Sequence, residues 1–181
     1  LRNQIRNFEN IFEHSQFMNS GYGMRTTNGS FSLHYPNFSN NGIDVQIGEV
    51  SDACSILAPM SEGAGRFLVV GGAECAGLPL IIHGGRLAHN RLHADGRYII
   101  MGPAGPLTLS GVNFASGALK QNWRIDAHSD CTYDSAVQRG KVVAVGCQFP
   151  NLTPFMGTHR FRTLGCTSVN SVGGSVELAD Q

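Results

Sequence analysis

Apolar and polar residues alternate along this chain in short stretches, and the stretches return in a fixed order. Phe17-Met18-Asn19-Ser20-Gly21-Tyr22-Gly23-Met24 and Phe38-Ser39-Asn40-Asn41-Gly42-Ile43-Asp44-Val45 both read Phe-x-Asn-polar-Gly, run on into an alternating segment and lie 21 residues apart. A repeat at that period marks a solenoid, in which each copy is one turn that buries its apolar face only by stacking on the next. Phe31-x-Leu33 leads into the second copy and Ile43-x-Val45-x-Ile47 leaves it. That period of two puts one face of a short strand into a core.

The same grammar recurs further on. Leu80-Ile-Ile-His-Gly-Gly-Arg-Leu87, Leu107-Thr-Leu-Ser-Gly-Val-Asn-Phe114, Val142-Val-Ala-Val-Gly-Cys-Gln-Phe149 and Phe161-Arg-Thr-Leu-Gly-Cys-Thr-Ser168 share one template with Gly at its fifth position. From Phe38 through Leu87, Phe114 and Phe149 to Ser168, the final position recurs after 49, 27, 35 and 19 residues. Those gaps give coils of about 20 to 35 residues if the first holds two. Further strands are expected at Phe67-Leu-Val-Val, Tyr98-Ile-Ile-Met, Trp123-Arg-Ile-Asp and Val176-Glu-Leu. Ile5, Phe8 and Phe12 have helical spacing, but the surrounding asparagines favour turns and strands. With no helix expected after residue 20, an α/β fold is disfavoured. The expectation is one all-β solenoid domain over residues 1–181, with Leu80, Ile82, Leu107, Leu109, Phe114, Val142, Ala144 and Phe149 in one core. A β-sandwich or jelly roll is the alternative.

Composition narrows the function classes. Thirteen Lys plus Arg balance thirteen Asp plus Glu, which removes the electrostatic case for nucleic acid or an anionic membrane as partner. No apolar run approaches the roughly 18 residues of a membrane helix, so no membrane insertion is expected. The opening residues LRNQIRNFEN lack a signal peptide's apolar stretch and read like the inside of a repeat, so the chain is expected to be part of a longer one. Five cysteines without a C-x-x-C pair are expected to be buried free thiols of a protein made in a reducing cytoplasm.

The two Phe-x-Asn-polar-Gly motifs resemble coils of the right-handed parallel β-helix of the pectin-lyase-like superfamily, and the Gly- and Asn-rich pattern is similar to bacteriophage tailspike and tail-fibre proteins. The resemblance implies asparagines in left-handed turns, ladders of like residues inside the coil, and Cys147 and Cys166 as rungs of one ladder. It further implies a parallel homotrimer with contacts at residues such as Leu164, a place on the virion tail or outside the cell, and a bacterial surface polysaccharide as partner. No family catalytic signature is matched, so no active site is carried over.

Candidate chemistry comes from the residues themselves. In Arg124-Ile-Asp126-Ala-His128-Ser-Asp130 a strand with Ile125 inward would project the polar residues from one face at roughly 6.5 to 7 Å intervals. That spacing suits carboxylates flanking a glycosidic bond. Asp126 and Asp130 are therefore the catalytic candidates, with Asp134 joining from the following loop and Arg124, His128, Trp123 and Tyr133 binding substrate. A second group, His83, Arg86, His89, Arg91, His93 and Arg97, offers guanidinium groups to a uronate carboxylate, Arg86 and Arg91 foremost. Both groups also read as solvated outer faces. Tyr22, Tyr35 and Tyr98 are further stacking platforms for sugar rings. No cofactor fingerprint is found, and His89 and His93, without a helix or third ligand, predict no metal. The function expected is binding, with cleavage as an added activity, of a bacterial surface polysaccharide. A purely structural or receptor-binding solenoid and a secreted lyase or hydrolase are the alternatives.

Overall fold

A computed structural model describes residues 10–26, 30–48, 54–70, 80–88, 95–101, 107–115, 124–127, 141–149, 160–169 and 175–177. Each of the first five coils carries three short strands: β1 (Asn10–Glu13), β2 (Gln16–Met18) and β3 (Tyr22–Thr26) in the first, then β4 (Phe31–His34), β5 (Asn37–Ser39) and β6 (Ile43–Ile47). The next coils hold β7 (Cys54–Leu57), β8 (Met60–Glu62) and β9 (Arg66–Val70), β10 (Leu80–His83), β11 (Arg86–Ala88) and β12 (Arg97–Met101), and β13 (Leu107–Ser110), β14 (Asn113–Ala115) and β15 (Arg124–Ala127). β16 (Lys141–Val145) with β17 (Gln148–Phe149), and β18 (Arg160–Leu164) with β19 (Thr167–Val169), continue the stack before β20 (Ser175–Glu177).

Like strands of successive coils pair in parallel. They form a seven-stranded sheet β1-β4-β7-β10-β13-β16-β18, an eight-stranded sheet β2-β5-β8-β11-β14-β17-β19-β20 and a five-stranded sheet β15-β12-β9-β6-β3. The protein is thus an all-β parallel β-helix with no helix among the described residues. β20 departs from the pattern by pairing antiparallel with β19, which makes it the last strand of the second sheet among the described residues.

Ladders fill the interior. On the first sheet Leu33, Ile56, Ile82, Leu109 and Ala144 lie in register, and on the second Phe17, Phe38, Ser61, Leu87 and Phe114 do. Phe17 stacks on Phe38 and Phe114 on Phe149, with ring centroids 5.0 and 5.2 Å apart. All eight residues expected in the core belong to one buried cluster. Each large side chain sealed there contributes about 1.5 to 3 kcal/mol by leaving water. Cys54, Cys147 and Cys166 are buried free thiols, and the backbone of Thr167 donates to the Cys147 carbonyl, so Cys147 and Cys166 do occupy neighbouring rungs. Burial pushes the Cys147 thiol up to about 11. Cys75 and Cys131 lie outside the described residues.

The coil turns from the first sheet to the second through a residue in the left-handed region, to which Gly85 adds a second in the fourth coil. This residue is His14, Tyr35 and Ala58 in three coils and Gly84, Gly111, Gly146 and Gly165 in the others, with φ between 48 and 65°. The fifth-position glycines of the sequence template are therefore the corner itself. The turn from the second sheet to the third uses Asn19, Asn40 and Gly63, also at positive φ. The amide side chain tolerates that geometry better than most because it bonds locally to backbone.

Candidate functional site

The acidic strand predicted from sequence falls on β15, at the end of the third sheet. Ile125 is fully buried in the core, the inward position expected of it, with Arg124 in register with Arg97 and Asp126 with Ile100. The side chains of Arg124 and Asp126, and all of Trp123, His128, Asp130, Tyr133 and Asp134, lie outside the described residues. So do His89, Arg91 and His93.

The second candidate group does not form one stripe. His83 is on the first sheet, Arg86 on the second and Arg97 on the third, because two corners of the coil separate them. Arg97 is also engaged. Its Nε donates to Asp95 Oδ2 at 2.9 Å and its backbone N to Oδ1 at 3.0 Å, while Arg66 grips both carboxylate oxygens at 3.1 and 2.8 Å. Burial opposes ionisation of Asp95, yet the bonds from Arg66 and Arg97 hold its carboxyl well below the usual range. This cluster pins the chain before β12 to β9.

Arg86 belongs to a different array. Its outward position on the second sheet forms a column with Gln16, Asn37, Met60, Asn113, Gln148 and Thr167. Gln16, Asn37, Met60, Arg86 and Asn113 are exposed. The column contains no acid, and its steps are the roughly 4.8 Å between paired strands. Amide and guanidinium groups at that interval can donate to a succession of hydroxyl or carboxylate oxygens.

At the adjoining corner His14 and Tyr35 stack, with centroids 5.0 Å apart and planes 10° from parallel. Tyr35 is 51% exposed, an aromatic face beside the column. Tyr22 is exposed as well, under the Arg25 guanidinium 5.3 Å from its ring centre. Tyr98 must be withdrawn as a sugar platform. It is fully buried, packed against Phe67 in the core.

The feature that alternation did not reveal is a polar cluster inside the coil. Asp44 is 0% exposed. Its Oδ1 accepts from Asn41 Nδ2 at 3.0 Å, its Oδ2 accepts the Ser61 hydroxyl, and Ser61 Oγ lies 3.3 Å from the Tyr98 hydroxyl. Asn41 further donates to the Phe17 carbonyl at 2.9 Å and accepts from the Ser20 amide at 3.1 Å. The pairing of β3, β6, β9 and β12 skips the position of Gly23, Asp44, Phe67 and Tyr98. At this irregularity consecutive residues of β9 and β12, Phe67 with Leu68 and Tyr98 with Ile99, both enter the core, and strict alternation fails. The signal was the 49-residue gap: its two coils bring Ser61 to the place of a core Phe, beside Tyr98.

Among the described residues no group of three His, Cys, Asp or Glu side chains is placed to hold a metal ion. Compared with family models, curated proteins and solved structures, the chain matches none.

Proposed function

We propose that this chain is a tailspike-like, virion-associated β-helix that binds a bacterial surface polysaccharide along the outer face of its second sheet, with Asp126, Asp130 and Asp134 supplying cleavage. The observation that carries the reading is the in-register column Gln16, Asn37, Met60, Arg86, Asn113 and Gln148, polar at every step but Met60 and flanked by the exposed Tyr35. A linear glycan presents one set of hydroxyls after another along its length, and a stack of coils presents one donor after another along its axis. Arg86 in the middle selects for an acidic sugar, because a guanidinium pairs a carboxylate through two bonds. The exposed Val145 and Leu164, in register on the first sheet and 37% and 51% accessible, support a trimer contact on another face.

Binding of purified capsule and lipopolysaccharide polysaccharides to the whole chain tests this reading, with Arg86→Ala and Asp126→Asn as variants and sedimentation giving the assembly state. Arg86→Ala is expected to weaken binding about tenfold or more, since a charged hydrogen bond is worth roughly 1.5 to 3 kcal/mol. Asp126→Asn is expected to abolish release of oligosaccharide while leaving binding intact. Failure of a broad polysaccharide panel to bind would overturn the reading in favour of a structural solenoid.

A further inference from the structure

A carboxyl group sealed in a protein interior ordinarily sits beside a cation, because removing an ion from water without one costs several kcal/mol. Asp44 breaks that rule. Its two oxygens meet an amide and a hydroxyl, both neutral. The charged groups on the strands packed around it are all directed elsewhere: on β3, Arg25 lies over Tyr22; on β8, Glu62 is exposed; on β9 and β12, Arg66 and Arg97 grip Asp95. β5 carries no charged side chain. Among the described residues the titratable group that faces Asp44 is the Tyr98 hydroxyl, itself buried and held above its ordinary range by that burial.

We propose that the Asn41–Asp44–Ser61–Tyr98 cluster is an acid-tightened clasp across three successive coils, firm when Asp44 is a neutral carboxyl and slack when it is a carboxylate. Asn41 and Asp44 belong to the second coil, Ser61 to the third and Tyr98 to the fourth, and Asn41 reaches back to Phe17 and Ser20 of the first. One titration therefore acts on the contact between every pair of coils in the first half of the stack. In the acid form the Asp44 O–H donates to Ser61 Oγ, and the Ser61 hydrogen turns to the Tyr98 oxygen. The proton is taken from water and returned to it when the coils part.

The direction of the effect follows from linkage. Burial raises the Asp44 carboxyl from 3.8 to about 6, with the Ser61 and Asn41 hydrogen bonds holding it from rising further. The unfolded chain has the ordinary value, so the folded state keeps a proton that the unfolded state gives up. The stabilisation is present in full below about pH 4 and is lost as pH rises through about 6. A tenfold change per unit makes the whole effect roughly a hundredfold in the unfolding equilibrium.

Urea unfolding of the full chain at pH 4.5 to 7.5, wild type against Asp44→Asn, isolates this group from the other carboxylates. The ratio of the two unfolding constants is expected to change by tens of fold across that range, with Asp44→Asn the more stable protein at pH 7.5. Parallel pH profiles would overturn the clasp. Should Asp44→Asn fail to fold, the Asp44 carboxyl resonance of the wild type decides: a titration midpoint near 6 supports the proposal, and one at 4 or below defeats it. Amide exchange adds the location. Faster exchange above pH 6, corrected for intrinsic rates, is expected in β5, β6, β8, β9 and β12 but not in β16 or β18, and a uniform change over the stack would contradict it.

Discussion

The first three coils and the later ones build the same cross-section by different means. In the first three, the turn from the second sheet to the third takes three residues, 19–21, 40–42 and 63–65, whereas in the next two the corresponding strands are eight residues apart in sequence. The left-handed corner is His14, Tyr35 or Ala58 in the early coils and glycine in the later ones. The early coils also carry the buried polar cluster, which reaches the fourth coil at Tyr98, while beyond it the described core is almost wholly apolar, Thr163 excepted. A solenoid asks only that strands stay in register, so one half can seal itself with short turns and internal hydrogen bonds. The other relies on apolar ladders and accepts more residues between its strands at little thermodynamic cost.

The largest test of this contrast empties the later ladder. Phe149 is fully buried against Phe114, and Phe149→Ala is expected to cost about 3 to 5 kcal/mol in denaturant unfolding. The loss should appear as weaker amide protection in β13 to β19, with β3 to β9 retaining theirs. Equal loss everywhere would mean that the halves melt as one unit and that their difference is one of construction alone.

Much of this architecture is written in the chain. Gly at the fifth template position names the corner, Asn19 and Asn40 name the next one, and Phe38 to Phe149 trace an inner ladder, because each is fixed by a local rule of backbone geometry or burial. Asp44 and Ser61 escaped for a physical reason. Within Ile43-x-Val45 a charged residue is expected to face water, and only the irregular pairing on the third sheet turns it inward. The same irregularity turns Tyr98 inward, where alternation alone does not place it. The stripe from His83 to Arg97 reads as continuous because linear spacing does not show that His83, Arg86 and Arg97 fall on three different sheets. Of the carboxylate site, Ile125 and its strand were legible, while Asp130 and Asp134 lie outside the described residues.

A smaller effect probes the early half. Asn41 bonds Phe17, Ser20 and Asp44, so Asn41→Ala strips partners from one backbone carbonyl, one backbone amide and a buried carboxyl. Leaving such groups unpaired costs roughly 2 to 3 kcal/mol. The variant should also carry Asp44 to a higher titration midpoint, since a bond that favours the carboxylate is gone. A stability loss without that movement would show that Asn41 serves the first coil's corner and not the clasp.

The smallest expected effect lies at the corner the two halves share. Gly146 has φ +60° with open space where a Cβ would stand, so Gly146→Ala meets no neighbour and pays only for the left-handed backbone, about 1 kcal/mol. Ala58 already bears that strain at φ 48°. Ala58→Gly relieves it but frees the unfolded chain, and the two terms nearly offset, leaving a change within about 0.5 kcal/mol of zero. Thermal or urea unfolding of the pair reads the asymmetry directly. If Gly146→Ala were as silent as Ala58→Gly, the corner would not hold its left-handed geometry in the later coils.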